Sequence, residues 1–368
     1  MNIILLQENL KQALNAVERI IGRNLTLPIL NNILLKTEKG KLKISSTNLE
    51  IGINYWISCK VNEEGAITVP AKMMSGFINS LPNKKIELKL KDTQLNIKCE
   101  NFKSAIKGLG ADDFPIIPQI RNKPILKIKG NILKDAFSQV VEMTALSEAR
   151  PEITGVYVDF KKDSVKIAGT DTFRLAEKNI KINNTGEAKE NSVIIPQRTV
   201  QEVIRILNDK ENTDLEVVLS ESQILFDLGY AQIISRLIEG QYPDYKQIIP
   251  GSIETQVVIS RAELINNIKI AGLFSSKIND IKIIVDPKKS QLEVFSKDAD
   301  VGENKSQLEA EIKGKEVEAV LNYRYVLDGL NKIYSDKIII GFNGGTKPIL
   351  IRPIGDNSYN YVVMPIRA

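Results

Sequence analysis

With 368 residues, of which 43% are hydrophobic and 26% charged, the chain has the composition of a globular protein of two or three domains and not of a disordered one. It contains no histidine, which removes the commonest general base and metal ligand, and its two cysteines, Cys59 and Cys99, have the spacing of neither a zinc site nor a disulfide framework. No segment is apolar over the roughly 18 residues that a membrane span needs, and the amino terminus lacks the basic region of a signal peptide, so we expect a cytoplasmic protein.

The net charge of +5 is unevenly distributed along the chain. Residues 1–123 carry 18 basic against 11 acidic side chains, residues 124–250 carry 16 against 19, and residues 251–368 carry 16 against 15. A locally basic surface on a chain that is elsewhere acidic favours selective contact with phosphate groups.

Each third of the chain opens with a short amphipathic helical pattern. These patterns begin at Glu8, Asn131 and Arg261. In the first pattern, apolar side chains recur with the spacing of one buried helix face at Leu10, Leu14, Val17 and Ile21.

Two runs of alternating apolar and polar residues, joined by a polar turn, follow each helix and predict a β-hairpin. The hairpins begin at Ile33, Val156 and Ile281. A second helix is then predicted beside three residues spaced 126 positions apart, Pro70, Pro196 and Asn322. Each third ends in further strands. The sequence therefore predicts an α+β protein with a threefold repeat of helix, strands, helix and strands, and domains at residues 1–123, 124–250 and 251–368.

Seven motifs run through the chain in a fixed order. They are TLPIL from Thr26, VPAK from Val69, ADDFP from Ala111, GTDTFRLA from Gly169, YPDY from Tyr242, KPILIRP from Lys347 and YVVMPIR from Tyr361. In these motifs the chain resembles the bacterial DNA polymerase III beta subunit, or sliding clamp, family over its whole length. The resemblance implies three similar clamp domains, with helices inside and antiparallel sheets outside, in a head-to-tail dimeric ring around duplex DNA. It implies a polymerase processivity factor and not an enzyme, without cofactor or metal.

Basic residues recur in both predicted helices of each repeat, where a ring of this family would face DNA without reading its sequence. The resemblance implies closer DNA contacts at Arg23, in GRNLTLPIL, and at Lys72, in VPAK. It also implies contacts at Ser147 and Arg150, in the loop LSEARPE. Together, the DNA-binding residues that we predict are Arg23, Lys72, Ser147, Arg150, Lys11, Lys134, Arg198 and Arg205.

The resemblance also implies a hydrophobic groove that receives short linear motifs from the polymerase III catalytic subunit, the clamp loader, other polymerases and repair proteins. Branched aliphatic side chains and a methionine would give it an adaptable floor, and polar groups would orient a peptide. The groove residues are Ile153, Thr170, Thr172, Phe173, Arg174, Leu175, Pro243, Gln247, Ile248, Pro348, Val362, Met364, Pro365 and Ile366.

The family's dimer interface corresponds to apolar residues in the first and last repeats of this chain. Phe77 and Ile106 match one side, and Leu273 and Phe274 match the other. Such a heterologous contact would close after two subunits.

Two other interpretations remain. Thr170, Asp171 and Arg174 could belong to an active site, but no nucleophile with a base and no phosphate-binding loop accompanies them. Alternatively, the chain could be a scaffold that binds peptides without DNA. The concentration of positive charge on the predicted helices disfavours this alternative.

Overall fold

The computed structural model of the chain describes residues 1–22, 27–147, 149–182, 190–208 and 213–366. Contacts group the chain into two compact units, Met1–Lys134 with Arg198–Leu237, and Asp135–Gln197 with Ile238–Ala368. This division cuts through the middle repeat, because the strands of that repeat join two different sheets. It therefore does not test the predicted domain boundaries, which stay a prediction.

The three repeats follow one another along the chain with similar element orders. The first contains β1 (Asn2–Leu6), α1 (Gln7–Glu18), β2 (Asn32–Glu38), β3 (Lys41–Thr47), β4 (Ile51–Ser58), β5 (Lys60–Glu63), β6 (Ala66–Pro70), α2 (Ala71–Ser80), β7 (Lys85–Lys91), β8 (Gln94–Cys99) and β9 (Phe102–Lys107). The second contains β10 (Leu126–Lys129), α3 (Gly130–Val140), β11 (Gly155–Phe160), β12 (Ser164–Thr170), β13 (Arg174–Lys181), β14 (Asn191–Pro196), α4 (Gln197–Leu207), β15 (Asp214–Leu219), β16 (Gln223–Asp227) and β17 (Ala231–Arg236). The third contains β18 (Thr255–Ser260), α5 (Arg261–Gly272), β19 (Asp280–Asp286), β20 (Gln291–Asp298), β21 (Gly302–Glu309), β22 (Glu311–Lys313), β23 (Val317–Asn322), α6 (Tyr323–Asn331), β24 (Lys337–Phe342), β25 (Ile349–Pro353) and β26 (Tyr359–Val363).

The predicted helices and hairpins are confirmed, but the prediction that each repeat opens with a helix is wrong. A strand precedes the first helix in every repeat, as β1, β10 and β18. In β1 the side chains alternate in burial, with Ile3 fully buried and Leu6 exposed. The alternation is short and merges directly into α1, so the sequence pattern hides the strand.

The second helix of each repeat starts where the sequence placed it. Pro70 and Pro196 end β6 and β14, which are edge strands, so the missing backbone donor leaves no gap inside a sheet. In the third repeat Asn322 takes this position, and its side-chain oxygen accepts hydrogen bonds from the backbone N–H groups of Arg324 and Tyr325. An asparagine cap thus replaces the proline at the same point.

The predicted apolar face of α1 forms part of the core. Leu10, Leu14 and Val17 are almost completely buried, and α1 packs against α2, β3 and β4. Burial of each leucine side chain stabilises the fold by roughly 1.5–3 kcal/mol. In the second unit, α5 packs in the same way on α6 and on the sheet of β19, β20 and β21.

Strands of neighbouring repeats pair directly with each other at two places. We call the pairing of β4 with β17 the first junction and that of β13 with β26 the second junction. Both pairings are antiparallel. The first joins two four-stranded groups into a sheet of eight strands, and the second joins a four-stranded and a five-stranded group into a sheet of nine. The first junction lies within the first compact unit and the second junction within the other.

Candidate nucleic-acid and partner interfaces

The loop that leads into β13 has a tightly defined backbone. The Thr170 hydroxyl donates to the Arg174 carbonyl at 2.7 Å and accepts from the Thr172 N–H at 3.2 Å. Asp171 Oδ1 accepts from the N–H groups of Phe173 and Arg174 at 3.0 and 2.9 Å. Thr172 has a φ of 78°, which is unusual for a β-branched residue. The loop thereby presents the Phe173 ring to solvent, with 57% of its surface exposed.

The apolar groove residues divide into a buried floor and a more accessible rim. Ile153, Leu175 and Val362 are buried together in one cluster, which Ala168, Ile194, Tyr242, Tyr245 and Leu350 complete. Pro365 and Thr170 are also buried. The rim residues are exposed or half-buried: Thr172, Phe173, Pro243, Gln247, Ile248, Pro348, Met364 and Ile366.

Backbone pairing brings the carboxyl-terminal groove residues to the loop. Leu175 is opposite Val362 in the second junction, and the Met364 N–H donates to the Phe173 carbonyl at 2.8 Å. Ile366 is held elsewhere, since its N–H donates to the Val320 carbonyl at 2.8 Å. Of the predicted groove residues, the structure therefore brings Ile153, Leu175 and Val362 into one cluster and links Phe173 to Met364. The groove as a whole stays a prediction.

Tyr242 and Tyr245 of the YPDY motif belong to the buried cluster, although only Pro243 of this motif was predicted as a groove residue. Tyr242 and Tyr245 stack or pack edge-on against Tyr157, and the Tyr245 hydroxyl donates to Glu177 Oε2 at 2.9 Å. Burial raises the pKa of both Tyr242 and Tyr245, so both are neutral at physiological pH. These buried rings are therefore part of the floor, and the YPDY motif was the sequence signal that could have indicated them.

The Arg174 side chain is largely buried and ion-paired. Only 13% of its side chain is exposed, and it forms ion pairs with Asp171 and with Asp328 of α6. Burial opposes the charge, but Tyr361 and the two carboxylates outweigh this effect and raise the pKa of Arg174 above its ordinary value. The guanidinium group is therefore permanently charged and already occupied.

Two of the predicted DNA-binding arginines are engaged in contacts between helices. Arg205 donates to the Asn15 and Ala16 carbonyls at 3.1 and 2.5 Å and pairs with Glu202 at 2.6 Å. Arg198 donates to the carbonyls of Arg19 and Ile20 at 3.2 and 3.1 Å. These cations lie at the carboxyl-terminal end of α1, where the helix dipole favours positive charge. Both arginines thus fasten α4 of the second repeat to α1 of the first.

The remaining predicted DNA-binding residues lie on different parts of the chain. Lys11 and Lys72 are exposed and line one surface depression together with Arg19 and Arg205. Arg150 is exposed but paired with Glu152 at 3.0 Å, and the Ser147 hydroxyl accepts from the Ala149 N–H at 3.3 Å. Lys134 is half-buried. Arg23 lies outside the described residues.

The predicted dimer residues lie in two places. Ile106 is on β9 and is 8% exposed, and Phe77 is half-buried on α2. Leu273 follows α5 and is 72% exposed, while the half-buried Phe274 ring lies 4.0 Å from the position of a Cβ on Gly302, at the start of β21.

Among the described residues, no group of three or more His, Cys, Asp or Glu side chains is arranged to hold a metal ion. A search of the same residues finds no helix with the length and apolar character to cross a membrane.

Three family descriptions match consecutive parts of the chain. Residues 1–118, 127–244 and 246–367 match the N-terminal, central and C-terminal domains of the DNA polymerase III beta subunit. The beta sliding clamp of Synechocystis sp. is 30% identical over 388 aligned positions, which cover all of this chain and 99% of that protein. The chain belongs to the DNA polymerase III beta subunit family.

Other beta sliding clamps agree in sequence and fold. The Staphylococcus aureus clamp is 27% identical, and the alignment covers 96% of each protein. The solved sliding clamp of Bacillus subtilis superimposes with a TM-score of 0.95 at 25% identity, covering all of this chain and 99% of that one. A Pseudomonas aeruginosa clamp solved bound to griselimycin has a TM-score of 0.94 at 24% identity and full coverage of both chains. The predicted three-domain clamp fold is therefore confirmed.

Proposed function

We propose that two copies of this beta subunit close head to tail into a ring around duplex DNA, and that the ring tethers the replicative polymerase to its template without catalytic activity of its own. The main observation in support of the ring is that the first and second junctions form by the same strand pairing. Replication takes place in the bacterial cytoplasm, so the proposal places the protein there.

The two junctions are built from equivalent strands. At each junction, the strand that follows the predicted hairpin of one repeat pairs with the last strand of the next repeat. These pairs are β4 with β17 and β13 with β26. A backbone hydrogen bond closes each junction, from Arg236 to Glu50 at 3.0 Å and from Met364 to Phe173 at 2.8 Å. Two strands in these positions have no such partner within the described residues. They are β21, which follows the hairpin of the third repeat, and β9, which is the last strand of the first repeat.

Within the described part of the chain, β9 and β21 are outer strands, paired only with β8 and β20. Pairing β21 of one subunit with β9 of another would form a third junction, and two such junctions would close a ring of six repeats. The charges on the two edges are complementary. Lys103 and Lys107 lie on β9, whereas Asp300 and Glu303 lie on or beside β21.

The junctions also specify the register of this third pairing. Ser46 and Ser296 are equivalent, because their hydroxyls donate to the second-last carbonyls of α1 and α5. The hairpins pair Ser46 with Ile53 and Ser296 with Asn304, which makes Asn304 the counterpart of Ile53 and Gly302 that of Ile51. Ile51 is opposite Ser235, whose counterpart in β9 is Ile106, because the preceding hairpins pair Gln223 with Arg236 and Gln94 with Lys107. Ile106 would therefore be opposite Gly302, and Ser104 would be opposite Asn304.

Cysteine cross-linking tests this register. In an antiparallel pair, opposite Cα atoms are about 4.5–5.5 Å apart, which is within the range of about 4.4–6.8 Å that a disulfide spans. We expect the Ser104→Cys/Asn304→Cys variant to give a covalent dimer under oxidation. The matched control is Ala105→Cys/Asn304→Cys, whose first cysteine points to the opposite face of the sheet. Equal cross-linking of both variants, or of neither, would contradict the proposed third junction.

DNA would be held by topology and by weak, sequence-independent phosphate attraction. Lys11 and Lys72 support this role, because both are exposed on helices of the first repeat and line the same depression. Arg198 and Arg205 add positive charge nearby, but their hydrogen bonds favour a mainly structural contribution. We keep Lys134, Ser147, Arg150 and Arg23 as proposed contacts.

The groove at the second junction would receive short hydrophobic motifs of the polymerase III catalytic subunit, the clamp loader, other polymerases and repair proteins. Its accessible rim of Phe173, Met364 and Ile248 around a buried aliphatic floor supports this role. Griselimycin, with which a Pseudomonas aeruginosa clamp was solved, is a suitable probe for the proposed groove.

Retention on circular DNA tests the ring mechanism. We expect the mass of two chains in solution and, after loading by a clamp loader, retention on nicked circular DNA that is lost when the circle is cut. A monomer with equilibrium DNA binding that is indifferent to cutting would contradict the ring and favour a peptide-binding scaffold. Turnover of nucleotides or DNA by the purified chain alone would favour an enzyme.

A further inference from the structure

Arg174 joins three separate segments beneath the rim of the groove. Its Nε donates to Asp171 Oδ2 at 2.9 Å, within the loop, and one terminal nitrogen donates to the Glu142 carbonyl at 3.2 Å, in the turn after α3. The other terminal nitrogen contacts the Asp328 carboxylate on α6. The planar fork of an arginine can reach three acceptors in this way, whereas a lysine cannot.

An aromatic contact fixes the same assembly from another side. The guanidinium carbon of Arg174 lies 4.6 Å from the centre of the Tyr325 ring, and the Phe173 ring stacks on Tyr325 with centres 6.3 Å apart and planes 23° apart. Tyr325 is held in turn by the Tyr361 hydroxyl, which donates to its carbonyl at 2.6 Å. The exposed Phe173 thus rests on a ring that Arg174 also contacts.

We propose that Arg174 is a positioning residue of the peptide groove, which acts by fastening the loop of residues 170–174 to α6 and not by contacting the peptide. This inference rests on the proposed peptide-binding function of the groove. Thr172 has a left-handed backbone conformation that threonine rarely adopts. The contacts of Arg174 add external anchors to the hydrogen bonds that hold this conformation within the loop. With the loop fixed in advance, a ligand does not have to order it on binding.

The proposal gives Asp328 a role in ligand affinity although it lies on α6. If Arg174 contacted the ligand directly, removal of Asp328 would leave the guanidinium free to bind and affinity nearly unchanged. If Arg174 acts through the loop, removal of either partner releases the same anchor. The two substitutions should then weaken binding by similar factors, and their effects should not add.

Isothermal titration of the full chain with griselimycin tests this inference. We expect Arg174→Ala and Asp328→Ala each to weaken binding on the order of 10-fold, and the double variant to be no weaker than the worse single one. Asp328→Asn, which keeps an acceptor oxygen, should recover part of the affinity, and Arg174→Lys should remain weak. Asn331→Ala, at the end of the same helix, is the control for an unspecific effect of α6, and circular dichroism checks that every variant is folded.

Each outcome decides a specific point. If Asp328→Ala stays within about twofold of the unsubstituted chain while Arg174→Ala loses affinity, Arg174 contacts the ligand itself and the positioning role is wrong. Additive losses, or no loss for either variant, contradict it as well. Failure of the unsubstituted chain to bind griselimycin would contradict the proposed groove, and the positioning role with it.

Discussion

At both internal junctions, a threonine and an Asx residue shape the loop before the pairing strand. The Thr47 hydroxyl donates to the Ile51 carbonyl at 3.0 Å, as Thr170 does to Arg174, and Leu49 has a φ of 75°, close to the 78° of Thr172. The first and second junctions therefore have nearly the same backbone. They differ in the side chains that cover it.

At the first junction, the connection between repeats fills the space beside the pairing strand. Gly52 follows Ile51 there, and Ile117 packs so closely on it that an added Cβ would lie 2.8 Å from Ile117 Cγ2. At the second junction, Leu175 occupies the equivalent position and belongs to the groove floor. Equivalent backbones thus carry a glycine covered by Ile117 at the first junction and a leucine of the groove floor at the second.

The largest expected effect is the loss of the floor at the second junction. Leu175→Ala removes a side chain that is 2% exposed, and we expect it to lower the free energy of unfolding by ~2–5 kcal/mol through lost burial and a cavity. Urea denaturation followed by circular dichroism measures the change. Leu146→Ala, at a side chain that is 89% exposed, should stay within about 0.5 kcal/mol. Equal shifts for both variants would contradict a specific role of the floor.

The second effect comes from overfilling the first junction. Gly52→Leu forces a side chain against Ile117, and we expect a loss of about 1–3 kcal/mol in the free energy of unfolding. Adding Ile117→Ala should recover part of this loss, because it clears the space that the new side chain needs. Gly251→Leu is the matched control, since a Cβ there would meet nothing within 4 Å. Strict additivity of Gly52→Leu and Ile117→Ala would show that the two positions do not share one space.

The Asx residues offer a finer test. Asn48 accepts from the N–H groups of Glu50 and Ile51, whereas Asp171 accepts from two backbone N–H groups and also from Arg174 Nε. We expect Asn48→Ala to cost about 1 kcal/mol of folding free energy and Asp171→Ala about 1–3 kcal/mol, because the latter also loses a charged partner. Only Asp171→Ala should weaken griselimycin binding in a titration. Weaker binding by Asn48→Ala would mean that the two loops are not independent.

Much of the fold was predictable, because it depends on patterns that are local in the sequence. The amphipathic faces, polar turns and strand-ending prolines all act within a few residues, and they located α1 to α6 and the hairpins. The strand at the start of each repeat escaped prediction. Its few alternating residues continue directly into a helix, and its sheet partners lie far away, so that Leu5 of β1, for example, pairs with Ile86.

For the candidate site, the sequence indicated buried residues that the structure groups together, but it did not indicate the contacts of the charged residues. Motif resemblance located Leu175 and Val362, which the structure places in one cluster. The partner of Arg174 is 154 residues away on α6, and Arg205 bonds to a carbonyl 189 residues earlier. No local pattern indicates whether an arginine faces a ligand or the carbonyls at the end of another helix, because tertiary packing decides it.

The smallest expected effect concerns the ion pair beside the first junction. Arg236 and Glu50 approach to 3.8 Å with side chains that are 61% and 65% exposed, so solvent screens the pair and Arg236→Met should change the free energy of unfolding by less than about 0.5 kcal/mol at any salt concentration. The substitution also places a methionine at the position that Met364 has in the second junction, since the N–H groups of residues 236 and 364 donate the equivalent backbone hydrogen bonds to Glu50 and Phe173. Titration with griselimycin should still give one ligand per chain, because Ile117 continues to cover Gly52. A second binding event in this variant would show that the charged pair, and not the filled space, closes the first junction to ligands.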